Sequence, residues 1–513
     1  MKNILGREIP EFIQGYGEIK PFQGAFATMN DIKRKSVKLK AVKPGQNKVL
    51  SSIRTALEKC NIQDGFTISF HHHLRNGDFV LNMVLDEISK LGVKDIKVAA
   101  SSIFPIHEPL VKHIKSGLVT NIFTNYISGP VAEAVSRGEL KNPIIMHTHG
   151  GRARAIESGD LKIDIAFIAA PTSDTYGNIN GVEGKSACGV LGYVIPDAIY
   201  AEQTVAITDN LIPYPACPIE ISQEYIDYIV EVDTIGDVKG IVSGTTRITK
   251  DPIGLKIAKM ATEVIDASGL LKDGFSFQTG AGGTSLAVAA YVKELMKKKN
   301  IKGSFAAGGI TGYIVEMFEE GLFNGLFDVQ CFDLKAIKSF KENKRHQGMS
   351  ASMYGNPHNK GAVVNNLDVM ILGATEIDTD FNVNVTTGSD GMLMGGSGGH
   401  SDTAAGAKLS IVVTQLIKSR LPIVVDKVTT ITTPGETVDV LVTERGIAVN
   451  PRRRDLLKKL ENSNLPIMPI EALKEFVEDM TGIPQKIDLG NELVAVVEYR
   501  DGTVIDVVRK VED

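Results

Sequence analysis

Residues 64–100, DGFTISFHHHLRNGDFVLNMVLDEISKLGVKDIKVAA, decide the fold class. Asp64-Gly65 turns the chain into FTISF, a short apolar strand. DFVLNMVLDEISKLG then carries apolar residues at helical spacing and ends at Gly92, where a helix cap is expected. DIKVAAS is a second strand. A helix between two strands cannot close a hairpin, so the strands lie parallel and both faces of their sheet are covered. The unit repeats through EPLVKHIKSG to LVTNIFTN, GPVAEAVSRG to PIIMHTHGG, and RARAIESGD to IDIAFIAA. Strand-like TVAITD and YIVEVD extend it to about residue 245. The pattern restarts at DPIGLKIAKMATEVIDASG, whose Asp251-Pro252 is a good N-cap and first-turn pair. GFSFQ, a helix over 284–298 and further strands follow, and a C-terminal hairpin turns at Asp501-Gly502. The expected architecture is α/β: an N-terminal arm over 1–45, then two related halves, 46–245 and 246–513, with largely parallel sheets. Asp64-Gly65-Phe66 and Asp273-Gly274-Phe275 open the two halves alike, a hint of internal duplication.

The 513 residues are 43% hydrophobic and 23% charged, the balance of a soluble globular chain. Net charge is −5 with no basic block, so nucleic acid is not an expected partner. Cys60, Cys188, Cys217 and Cys331 lie far apart without a CxxC, which argues against a zinc site or a disulfide framework. The N-terminus lacks a signal-like apolar core, and no apolar run is long enough to span a membrane. A cytoplasmic protein is expected.

Ligands of open parallel sheets bind beyond the carboxyl ends of the strands. After FTISF come His71, His72, His73 and Arg75. Carboxylate binding by Arg75 and one histidine, or a plain polar turn, fits that run; a metal fits poorly, because consecutive strand residues point to opposite faces and no Asp, Glu or Cys stands at a fixed ligand spacing. After PIIM come His147, His149, Arg152 and Arg154, with His147 and His149 expected on one strand face. Two such loops in one sheet suit a multiply charged anion, which arginine forks grip well. Two glycine clusters bare their backbone N–H groups to a ligand: Gln278-Thr279-Gly280-Ala281-Gly282-Gly283 before a helix, and Gly395-Gly396-Ser397-Gly398-Gly399 in SDGMLMGGSGGH. Ser401–Gly406 reads as a polar loop. Glu376 and Asp378 follow a strand, either as proton-transfer acids or as structural turn acids. There is no GxSxG elbow, P-loop, HExxH or GxGxxG motif.

The run Glu376–Val385, the loop Gly395–Asp402 and the Gln278–Gly283 cluster resemble the coenzyme A transferases. SFHHHLRNGD, HTHGGRARAIESGDL and ATEIDTDFNVNVTTGSDGMLMGGSGGHSDTA narrow the resemblance to the citrate lyase α-subunit family, the citrate CoA-transferases. The resemblance runs from about residue 48 to the C-terminal hairpin. It implies two related domains of the NagB/RpiA/CoA-transferase type. It also implies an exchange on a phosphopantetheine-type thiol: an acetyl thioester plus citrate gives a citryl thioester plus acetate. The thiol is expected on an acyl carrier (γ) subunit, or as CoA, and a β subunit would cleave the citryl thioester. A homo-oligomer is implied, with no cofactor or metal on this chain. Citramalate is the alternative acceptor. Joined to the loops above, the resemblance puts Glu376, Gly398 and Gly399 in catalysis. It puts Gln278, Thr279, Gly280, Ala281, Gly282, Gly283, Gly395, Gly396, Ser397 and His400 on the thioester, and His72, Arg75, His147, His149 and Arg152 on citrate. One departure stands out: where many relatives carry a glutamate nucleophile, this chain has Thr311-Gly312, and its next glutamate is Glu316. That departure implies direct transfer through a mixed anhydride rather than through a glutamyl thioester.

Overall fold

The computed structural model describes residues 1–27, 31–37, 40–242, 247–280, 282–461, 463–483 and 487–512. Two mainly parallel sheets carry the α/β fold. The first has ten strands in the order Val504–Val511, Leu489–Glu498, Ile144–Met146, Val119–Thr124, Ile96–Ala100, Thr67–Phe70, Ile165–Ala170, Gln203–Thr208, Tyr228–Glu231 and Val49–Leu50. All run parallel except the last strand of the chain. The second has eight, in the order His346–Gly348, Phe323–Cys331, Gly303–Ile310, Ser276–Thr279, Val369–Leu372, Leu409–Val413, Val440–Val442 and Ile447–Val449, with only the final pair antiparallel.

The two sheets repeat one topology. Counted along the chain from Thr67–Phe70 and from Ser276–Thr279, seven strands in each lie in the order 4-3-2-1-5-6-7. The repetition reaches side chains. Asp174 accepts hydrogen bonds from the backbone N–H groups of Tyr176, Gly177 and Asn178. Asp378 does the same for Asp380 and Asn382. DTYGNIN at 174–180 and DTDFNVN at 378–384 are thus one turn used twice. That assigns Asp378 a structural part.

Helix ends follow the local chemistry. Ser52 caps Ile53–Lys59 through Thr55 N–H, and therefore residues 49–50 form an edge strand rather than the helical turn that VLSSIRTALEKC suggests. Thr148 caps His149–Ser158. Gly92 closes Val80–Leu91 in the left-handed region, as anticipated. His400–Gly406 is a short helix where a loop was expected.

The C-terminal hairpin departs from the 246–513 assignment. Val496 pairs in parallel with Ile145, so the hairpin edges the first sheet. The arm then packs on it: Ile9, Ile13 and Ile19 are buried against Val496 and Val504. Both faces of that hairpin carry apolar residues, and the first sheet supplies an unpaired edge at Ile144–Met146. Joining it satisfies the edge and buries the face together. No helix among the described residues is long and apolar enough to cross a membrane.

Candidate functional site

The carboxyl ends of both sheets face a cleft of about 500 Å³. From the first half it is lined by loops after Thr67–Phe70, Ile96–Ala100, Val119–Thr124 and Ile144–Met146. From the second half come both glycine clusters and Val329, Gln330 and Phe332.

The histidine run alternates, as the pleat of the preceding strand requires. His71 accepts from Ala169 N–H (2.9 Å) and contacts His73, which accepts from Tyr193 N–H (3.3 Å). Both therefore brace the loop from the core side. His72 points the other way, with Nδ1 on Ser101 Oγ and its ring lining the cleft. Arg75 sits at φ +52°, a backbone region costly for a side chain of this size. Its guanidinium lies 4.7 Å from the centroid of Phe332 and 5.6 Å from that of Phe104. Among the described residues it has no carboxylate partner. Burial pulls its pKa below the ordinary value, yet an arginine stays charged.

Arg75 is the only Arg or Lys among the described lining residues. Burial holds the imidazoles uncharged at neutral pH: His149 is pushed down to about 3, His400 to about 4, and His72 well below its usual range. The described lining residues include no Asp, Glu or Cys either.

The glycine clusters differ in use. Gly280 and Gly282 line the cleft ahead of the seventeen-residue helix Gly283–Lys299, whose first turn lacks a side-chain cap. Its free N–H groups and dipole favour an anion there. The second cluster is a bridge between halves. Gly398 N–H donates to Asn125 O (3.1 Å) and Gly398 O accepts from His149 N–H (2.8 Å). A Cβ on Gly396 would stand 2.3 Å from Asn125 O. Bare backbone is needed there for one half to touch the other.

Asp402 fixes that junction. Its carboxylate accepts from Thr148 Oγ1 (2.9 Å) and Gly150 N–H (2.9 Å), and Arg500 Nε lies 3.5 Å away. Burial pushes its pKa up to about 6 despite Arg500. A carboxyl whose folded pKa exceeds the ordinary value of about 3.9 binds more protons folded than unfolded, so its contribution to stability improves as pH falls through 6. Relative to Asp402→Asn, the unsubstituted chain should gain about 1 kcal/mol of unfolding free energy between pH 7 and pH 5. Urea melts of both proteins at the two pH values measure this, and a constant difference would refute it.

Most residues singled out in the sequence converge on the cleft: His72, Arg75, His149, Gln278, Thr279, Gly280, Gly282, Gly396, Ser397, Gly398, Gly399 and His400. Five do not line it. His147 bonds Glu498 Oε2 through Nδ1 (2.9 Å), because the strand ends at Met146 and the chain turns into the next helix, which separates His147 from His149. Arg152 is forked onto Asp197 (2.7 and 2.8 Å) and also donates to Ala99 O (2.9 Å), deep in the first half. Gly283 is the first residue of its helix, and Gly395 is held by Thr386 and Ile127. Glu376 accepts from Asn384 Nδ2 (2.9 Å), Thr429 N–H (2.8 Å) and Thr429 Oγ1 (3.1 Å). Ala281 lies outside the described residues. Glu376→Gln should accordingly leave kcat near its original value while costing about 1–2 kcal/mol of stability, since an amide cannot accept all three bonds. A hundredfold loss of kcat with an unchanged melting temperature would restore it to catalysis.

Sequence reading did not single out Asn125, Tyr193, Gln330, Phe332 or Tyr354. They stand alone in unremarkable contexts, and only the fold gathers them. Asp328, Cys331 and His346 are the one group among the described residues with metal-ligand composition, their ligand atoms within 4.8 Å of one another. They already satisfy one another: Asp328 Oδ2 accepts from Cys331 Sγ and pairs with His346 Nε2, both at 3.1 Å.

Residues 46–511 match the family model for citrate lyase, alpha subunit (CitF). The chain is 49% identical to the citrate lyase alpha chain of Haemophilus influenzae over 466 residues, covering 91% of this chain and 93% of that one. It is 48% identical to the Escherichia coli protein of that name over 473 residues, covering 92% and 93%. A crystal structure of the alpha subunit of citrate lyase from Streptococcus mutans, in complex with citrate, superposes with a TM-score of 0.96 at 51% identity over the whole of both chains. The alpha subunit of an Acinetobacter baumannii malonate decarboxylase shares the fold at 15% identity, with a TM-score of 0.63 over 86% of this chain and 91% of that one.

Proposed function

This chain belongs to the citrate lyase alpha-subunit family, and from that premise we propose that its cleft exchanges acetyl for citryl on a thiol by direct attack of citrate on the bound thioester. As a member of that family the chain is a transferase. The observation that carries direct transfer is the composition of the cleft: no carboxylate or thiol among its described residues could hold an acyl group. Glu316, the first glutamate after Thr311, pairs with Lys335 (3.2 Å) and is half-exposed instead. The nucleophile is then the substrate's own carboxylate.

Citrate is placed against the first half, where Arg75 offers an unshared fork and His72 an uncharged ring. The thioester is placed against the second. Gly280, Gly282 and the uncapped turn of Gly283–Lys299 receive its polar atoms, and the buried Gln278 Oε1, which has no partner among the described residues, accepts from an N–H of a pantetheine-type arm. Such an arm would come with the acyl carrier subunit of a lyase complex, or as CoA. Holding two reactants side by side is worth up to roughly 7–11 kcal/mol. The curated relatives are citrate lyase chains, which makes citrate the favoured acceptor over citramalate.

The test is to incubate the full chain with acetyl-CoA, or with the acetylated carrier protein, and either acid. Mass spectrometry then follows acetate and the new thioester. Citryl thioester without any hydroxylamine-trappable adduct on the protein supports the reading; a stoichiometric adduct on Glu316 or Glu376 overturns it.

A further inference from the structure

We propose that His149 and Tyr354 are catalytic residues whose side chains donate hydrogen bonds to the tetrahedral oxyanion formed beside Gly398–Gly399. The inference rests on the transferase reading above and assigns its transition-state machinery.

Two side-chain amides set the direction of these donors. Asn125 Nδ2 lies 2.8 Å from His149 Nδ1. An amide nitrogen can only donate, so Nδ1 accepts and the ring proton resides on Nε2. Gln278 Nε2 donates to Tyr354 Oη (2.8 Å), which leaves the phenolic hydrogen for another acceptor. Each ring is thus held from behind by an amide and presents its remaining hydrogen forward. Both rings line the cleft.

The two tips converge on the glycine loop. A Cβ on Gly398 would stand 3.3 Å from His149 Nε2, and one on Gly399 would stand 2.3 Å from Tyr354 Oη. Both donor tips therefore stand directly against the bare backbone of the glycine loop, one from each half. Gly398 N–H is already committed to Asn125 O.

The chemistry asks for donors of this kind. A citrate carboxylate oxygen attacks the thioester carbonyl carbon, and the carbonyl π pair becomes the oxyanion. Collapse breaks the C–S bond and gives the acetyl–citrate mixed anhydride plus thiolate. The thiolate then attacks the citryl carbonyl, a second oxyanion forms, and its collapse expels acetate. No proton is gained or lost overall. Uncharged groups that donate without transferring their hydrogens fit both steps. Buried uncharged donors also spare the cleft a second cation, which would bind the ground-state carboxylates as firmly as the oxyanion.

His149→Ala and Tyr354→Phe, assayed in the full chain by acetate release, should each lower kcat, the first by about 10²–10³-fold, with citrate KM little changed. His149→Gln, which keeps an N–H donor, should recover part of the loss. A raised citrate KM at unchanged kcat would make His149 a ground-state clamp and overturn the assignment. ¹⁵N spectra of the histidine-labelled parent, which need no turnover and no variant, should show His149 protonated at Nε2; a proton on Nδ1 overturns it as well. An inactive parent would indict the transferase reading, whereas an active parent with fully active variants would indict only this inference.

Discussion

Replacing Arg75 with alanine should raise the citrate KM and lower kcat/KM by roughly 10²-fold, about 3 kcal/mol, while the melting temperature hardly moves. The expectation follows from what Arg75 lacks. Its guanidinium is flanked by Phe104 and Phe332 and has no carboxylate partner among the described residues. Removing it strands no buried anion in the protein, so stability has little to lose. Citrate, by contrast, loses the one permanent cation found among the described lining residues. Arg75→Lys should recover only part of the affinity, because an ammonium cannot match a carboxylate with a two-pronged fork and stacks poorly between rings. Steady-state kinetics with varied citrate, beside a thermal melt, provide the check. An unchanged KM would remove Arg75 from the substrate.

Arg152→Ala should do the reverse. Arg152 and Asp197 form a two-pronged pair with both side chains almost wholly buried. Breaking such a pair leaves a charge uncompensated in the interior and costs about 3–5 kcal/mol. The melting temperature should fall by several degrees, while the folded fraction keeps its citrate KM. A double replacement, Arg152→Met with Asp197→Leu, should regain much of the loss, since an apolar pair of similar volume avoids the stranded carboxylate. A rise in citrate KM for Arg152→Ala without loss of stability would contradict the structure. These two arginines look equivalent in the sequence, each in a histidine-rich loop after a parallel strand. One should move KM and the other the melting temperature.

That contrast marks how far residue patterns reach. Period and punctuation were sufficient for the strand–helix alternation, for the Gly92 and Asp251-Pro252 helix ends and for the Asp501-Gly502 hairpin, because each depends on neighbours a few residues apart. The glycine clusters and the basic loops announced the cleft for the same reason: strand ends of a parallel sheet face one way, so residues just past them share a site. The long motifs carried the family besides.

What the sequence could not distribute were partners. Asp197 lies 45 residues from Arg152, and Glu498 lies 351 from His147; only the folded packing makes each pair and so removes both side chains from the cleft. Glu376 looked like an available acid until Thr429 and Asn384 were seen to consume its oxygens. The C-terminal hairpin sits in sequence with the second half, yet the first sheet owned the free edge and took it. Asn125 was not singled out at all, and only the fold sets it behind His149, as it sets Gln278 behind Tyr354. Composition and spacing thus determined an α/β chain of two halves, with candidate ligand loops just past the ends of its strands. Which side chains are spent on the protein and which stay free for a substrate was decided by long-range contacts, whose energies depend on burial and on distances that sequence separation does not encode.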